Sequence, residues 1–149
     1  MLFKKLQVIT LKCQTLSKSL HSSTLTVDQQ ITAVTKFSTR DVLDFARISG
    51  DTNPLHCNES FVDKMFAKKS LVVHGSILNG FVAGLIGKNH HGSLLYKQEL
   101  VFVKPLFVDD EVCVNIKIES IKRKFVLCSL LCTVDESVVM KGNVVLKQK

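Results

Sequence analysis

Leu71 to Ile86, LVVHGSILNGFVAGLI, decides the fold. Apolar residues fall on nearly every side of a helix drawn through it, and a helix without a polar face has to sit inside something. The run is too short and too interrupted, by His74 and Asn79, for the ~18 to 20 clean apolar residues of a membrane span. Gly80 and Gly84 predict a smooth strip along this helix that lets a sheet come close. Their GxxxG spacing also occurs in membrane helix dimers, but it has no span here to act in.

The elements on either side supply the wrapping. From Ser93 onward the pattern changes to period two, rich in Val, Ile and Leu, and predicts strands at about 93–103, 111–122, 124–135 and 138–147. Val112, Val114, Ile116 and Ile118 fall on one face, Asn115, Lys117 and Glu119 on the other. Upstream, Gln30 to Phe37 alternates as a first strand. Ser38-Thr39-Arg40-Asp41 is a capping-box pattern opening a short helix from about Arg40 to Ile48. Glu59 to Lys68 predicts a second amphipathic helix, with Phe61, Val62, Met65 and Phe66 on its buried side. One strand, helices including an all-apolar one, then four consecutive strands give an α+β fold. The expected form is a single domain with an antiparallel sheet curled around a central buried helix.

At 149 residues, 46% hydrophobic and 22% charged, the chain has the composition of one ordinary globular domain. Its net charge of +7 is uneven: Lys4, Lys5, Lys12 and Lys18 precede the first acid, Asp28, and taking these four from +7 leaves +3. A basic, acid-free, Ser/Thr-rich segment over residues 1–27 has the make-up of a mitochondrial transit peptide, which predicts a matrix protein whose folded domain is 28–149. Cys13, Cys57, Cys113, Cys128 and Cys132 form neither a CxxC pair nor a Cys/His ligand spacing, and the last three lie in strand-like runs as small hydrophobes. Nucleic-acid binding has only the charge in its favour, since the chain holds one Tyr and no Trp.

The chemistry concentrates in Ile48 to Glu59, ISGDTNPLHCNE. Asp51 and His56 lie five residues apart around a Gly50-Asp51, Asn53-Pro54 turn, which holds a carboxylate and an imidazole close together. Such a pair, sharing one water, moves protons near neutral pH. Each residue alone has a structural explanation, Asp51 as a turn former and His56 as an ordinary histidine. The second element is Val73-His74-Gly75-Ser76 at the start of the buried helix. A helix N-terminus offers unpaired N–H groups and a positive dipole end, and Gly75 has no side chain to block a carbonyl. His74 itself reads as a core residue. His90-His91 read as surface loop, and no metal-ligand cluster stands out.

Phe45, Ser49, Gly50, Asp51, Asn53, Pro54, Leu55 and His56 together resemble the motif of the MaoC-like, (R)-specific hydratase 2 family of hot-dog enzymes. Phe102-Val103-Lys104-Pro105-Leu106-Phe107-Val108-Asp109-Asp110 resembles a second family motif, with Asp109 where Gly is usual. The resemblance covers about residues 28 to 147. It implies reversible dehydration of (3R)-hydroxyacyl thioesters to trans-2-enoyl thioesters, without cofactor or metal. Asp51 and His56 would handle the C2 proton and the C3 hydroxyl, with acid and base unassigned, and the Gly75 N–H would be the oxyanion hole. Asn53 would fix the turn or bond near the water. Among family members the chain looks most like the mitochondrial type 2 dehydratase that acts on acyl carrier protein. The alternatives are an (R)-specific enoyl-CoA hydratase, a hot-dog thioesterase and a non-catalytic acyl-binding module. The family also implies a homodimer. An acidic carrier would dock on lysines, for which Lys64, Lys68 and Lys69, or Lys122, Arg123 and Lys124, are candidates.

Overall fold

A computed structural model describes residues 25–148; the segment read as a transit peptide lies almost wholly outside the described residues, as does Cys13. The chain runs β1 (Gln30–Thr35), α1 (Thr39–Ser49), α2 (Pro54–Cys57), α3 (Glu59–Phe66), α4 (Gly75–Asn89), β2 (Leu94–Phe102), β3 (Val112–Lys122), β4 (Phe125–Val134) and β5 (Ser137–Lys147). The five strands form one antiparallel sheet in the order β1-β3-β4-β5-β2. It is an α+β hot-dog domain, as the sequence predicts.

Period-two patterning produces the sheet directly. Val112, Val114, Ile116 and Ile118 of β3 and Val126, Cys128, Leu130 and Cys132 of β4 all point inward and are buried. They meet Leu78, Val82 and Ile86, which recur every four residues along one side of α4. Burial raises the thiols of Cys128 to about 11 and Cys132 to about 12, so both stay protonated as apolar packing.

Four expectations need correcting. The glycine strip does not face the sheet: a Cβ at Gly80, Gly84 or Gly87 would meet nothing within 4 Å. The close backbone approach is instead at Gly142 of β5, where a Cβ would run into the Glu99 carbonyl of β2. An all-apolar helix does not reveal which side the sheet takes, and here it takes the side of Leu78, Val82 and Ile86. Leu71 to Val73 are extended rather than helical, with Val72 bridged to Phe107 and the Val73 N–H bonded to the Leu106 carbonyl at 2.7 Å. Of the α3 residues expected inside, only Val62 is buried, while Phe61, Met65 and Phe66 are exposed. His90, expected at the surface, is 5% exposed.

Local signals explain the helix ends. Ser38 and Asp41 form the reciprocal capping box, and the hydrogen bonds from Ser38 hold the Asp41 carboxyl below its usual range. Gly50 ends α1 at φ 77°, a left-handed C-cap that glycine adopts without strain. Asp109 also has a positive φ, 65°, which explains why glycine is usual at its place in the motif. No helix among the described residues is long and apolar enough to cross a membrane.

Candidate active site

The turn between α1 and α2 orients Asp51 atom by atom. Its Oδ1 accepts the Asn53 N–H at 3.2 Å, and Asn53 Oδ1 in turn accepts the Leu55 N–H at 3.0 Å to cap α2, with Pro54 in the first turn. The turn-forming and chemical readings of Asp51 are therefore compatible, because Oδ1 makes the turn and Oδ2 is left over. Asn53 is thus a hydrogen-bonding member of the turn through both its N–H and its Oδ1.

The one-turn helix α2, which the sequence did not announce, places His56. The Val72 N–H bonds the Leu55 carbonyl at 2.9 Å, and His56 Nδ1 lies 2.6 Å from the Val72 carbonyl. A carbonyl only accepts, so Nδ1 carries the proton and Nε2 keeps its lone pair. That Nε2 sits 3.9 Å from Asp51 Oδ2, too far for a direct hydrogen bond and suited to one water bonded to both.

His74 joins them, which the sequence reading missed. Its Nε2 is 3.1 Å from the Asp51 carbonyl oxygen, so this nitrogen donates. Its ring stacks on His56 with centroids 3.6 Å apart and planes 20° apart, and Phe45 packs on it at 4.9 Å. His74 is 2% exposed, and its Nδ1 is buried with no hydrogen-bond partner among the described residues. An unsatisfied buried nitrogen costs about 1–3 kcal/mol, which a leucine or phenylalanine at a plain core position would avoid. A lone imidazole ahead of an apolar helix was the available signal, but its partners lie 18 and 23 residues upstream, beyond any spacing rule.

Asp51, His56 and His74 bring one ligand atom each within 4.8 Å, a grouping that could hold a metal ion. The stacking argues against both histidines sharing one. A metal equidistant from two near-parallel rings 3.6 Å apart lies far out of both ring planes, whereas imidazole lone pairs point in plane.

A cavity of about 370 Å³ opens beside this cluster, lined by His56, His74, Gly75, Phe102, Leu106 and Val139 among others. The lining is mainly apolar, as an acyl site requires. Helix α4 starts here at Gly75 with His74 as N-cap and no side-chain capping bond, so its first N–H groups face the cavity end unclaimed by a side chain. A Cβ at Gly75 would fall 2.4 Å from the Phe102 ring, which lies across the helix start while more than half exposed.

Comparison with known proteins gives the family of the chain. A family model for the MaoC like domain matches residues 18–139. The chain is 28% identical over 131 residues to the (R)-specific enoyl-CoA hydratase of Aeromonas caviae, covering 85% of this chain and 97% of that one. It is 30% identical over 76 residues to the mitochondrial 3-hydroxyacyl-[acyl-carrier-protein] dehydratase of Arabidopsis thaliana, covering 51% and 45%. The solved structure of the A. caviae (R)-hydratase superimposes with a TM-score of 0.78 at 27% identity, over 86% of this chain and all of that one. The chain belongs to the MaoC-like family of hot-dog proteins. In enzyme class it is a hydratase/dehydratase, a carbon–oxygen lyase.

Proposed function

We propose that the protein interconverts (3R)-hydroxyacyl and trans-2-enoyl thioesters, with Asp51, His56 and the Gly75 N–H as its working groups. The observation that carries this is the 3.9 Å gap between Asp51 Oδ2 and His56 Nε2, beside an apolar cavity that ends on the uncapped start of α4. In the hydration direction, a water held in that gap gives up a proton to the pair and its oxygen bonds to C3. The thioester oxygen then carries the enolate charge against the Gly75 N–H and the positive end of the helix, until the pair returns its proton to C2. Dehydration reverses each step: C2 loses a proton and the C3 hydroxyl leaves as water.

For the carrier we favour acyl carrier protein in mitochondrial fatty acid synthesis. Support comes from the basic segment 1–27 and the likeness to the Arabidopsis dehydratase. The (R)-specific enoyl-CoA hydratase reading uses the same residues and is supported equally by the bacterial relatives. Of the docking lysines, Lys68 is engaged, 2.9 Å from Asp110 and over the Phe107 ring. Lys122, Arg123 and Lys124 sit on the β3–β4 hairpin at the far end of the sheet, roughly 25 Å from the cavity at 3.3 Å per strand residue.

A homodimer fits the sheet. β2 is an edge strand with Leu94, Tyr96, Val101 and Phe102 exposed, which a second copy would cover.

The deciding assay offers (3R)-hydroxyacyl thioesters on both carriers and follows enoyl thioester and free thiol. Stereospecific interconversion supports the proposal, and the ratio of kcat/KM values chooses the carrier. Thiol release would instead make the protein a thioesterase, and no turnover by folded protein would favour the acyl-binding module.

A further inference from the structure

We propose that His74 is a positioning residue for the Asp51–His56 pair, holding the Asp51 backbone with one ring edge and bracing the His56 ring with its face. The inference rests on the hydratase/dehydratase reading and adds to it a residue that is given no proton-transfer step in that scheme.

Three observations converge. The hydrogen bonds recorded for residues 50–53 among the described residues are local, within four positions, except one: His74 Nε2 to the Asp51 carbonyl at 3.1 Å. That contact ties the carboxylate's turn to the start of α4, the element that carries the oxyanion donors. The stack at 3.6 Å then fixes the plane of His56, whose ring hydrogen bond to Val72 alone would leave the ring free to tilt about that axis. Finally, the two rings hold opposite tautomers. His56 carries its proton on Nδ1 and His74 on Nε2, each fixed by a backbone carbonyl. His74 Nε2 lies 3.9 Å from Asp51 Oδ2 as well, but its N–H is given to the Asp51 carbonyl, and its other nitrogen, Nδ1, is buried. It supports the pair without competing for the proton being moved.

The two functions of the ring can be separated by substitution in the full chain. His74→Phe keeps the stacking face and loses the donor, His74→Gln keeps an N–H donor and loses the ring, and His74→Ala loses both. With (3R)-hydroxyacyl thioester as substrate, the expected outcome is kcat down about 10-fold in Phe and Gln and about 100-fold in Ala, with KM within about 2-fold, as misplacement of reacting groups predicts. Nitrogen-15 NMR of the histidine rings gives a readout independent of turnover. Wild type should show His56 as the Nδ1–H tautomer alone, and His74→Ala a mixture. Should the Ala variant fail to fold, Phe and Gln carry the same test. If kcat and the His56 ring signals of the folded variants match wild type, His74 is only packing and the inference falls, while loss of turnover in Asp51→Asn would leave the proposed reaction standing. If wild type turns over neither thioester, the reaction falls, and the His56 signals alone decide whether His74 positions that ring.

Discussion

Helix α4 has a buried histidine at each end, His74 as N-cap and His90 as C-cap, 2% and 5% exposed. One meets three partners at the candidate site: the Asp51 carbonyl, the His56 ring and the Phe45 ring. The other has both ring nitrogens without a hydrogen-bond partner among the described residues, and burial pushes its pKa down. The helix dipole separates the ends further, because only the N-terminus offers donors to a developing negative charge. Burial of a histidine therefore says little about function; what its nitrogens face decides.

The largest effect that could break this contrast concerns the pair itself. Asp51→Asn and His56→Ala should each lower kcat/KM roughly 100- to 10,000-fold, the usual range for a proton-transfer group. His90→Phe should leave it unchanged. An equal loss at His90 would show that any disturbance of α4 stops turnover, and the two ends would no longer differ.

Glycines at the two ends extend the comparison. In Gly75→Ala the new methyl must push the Phe102 ring aside and stand over the helix start, so kcat/KM should fall about 100- to 1,000-fold, as for loss of an oxyanion donor. Gly87 has open space around its Cβ position, and Gly87→Ala should raise stability by about 0.5–1 kcal/mol in urea unfolding with activity kept. Destabilisation at Gly87 would mean that the open side of α4 is covered in solution, and the oligomeric state of that variant would then show whether a second copy covers it.

The sheet and the closeness of Asp51 to His56 were legible in the sequence for a common reason: both are local. The inward row Val112, Val114, Ile116, Ile118 is a period-two pattern, and Asp51 to His56 is one turn. Asp109 stood out as a departure from glycine and proved to have the positive φ that glycine usually serves. What stayed hidden depends on contacts between distant segments. These include the side of α4 that faces the sheet, the exposure of Phe61, Met65 and Phe66, the burial of His90 and the stack of His74 on His56. A residue type and a period say that something is apolar or titratable; they do not say what arrives opposite it.

The smallest effect belongs to His90 and has a definite sign. Its folded pKa is lowered from 6.5, first because burial penalises the charged ring. Well above pH 6.5 the ring is neutral in folded and unfolded chains and contributes no pH dependence. Below 6.5 the unfolded chain takes up a proton that the folded site resists, so stability falls with pH until the lowered folded pKa is passed. Urea unfolding of wild type between pH 7.5 and 5 should therefore lose more stability than His90→Phe over the same range. Parallel curves would mean that His90 finds a proton acceptor in solution, and the difference between the two ends of α4 would then be one of partner rather than of pairing itself.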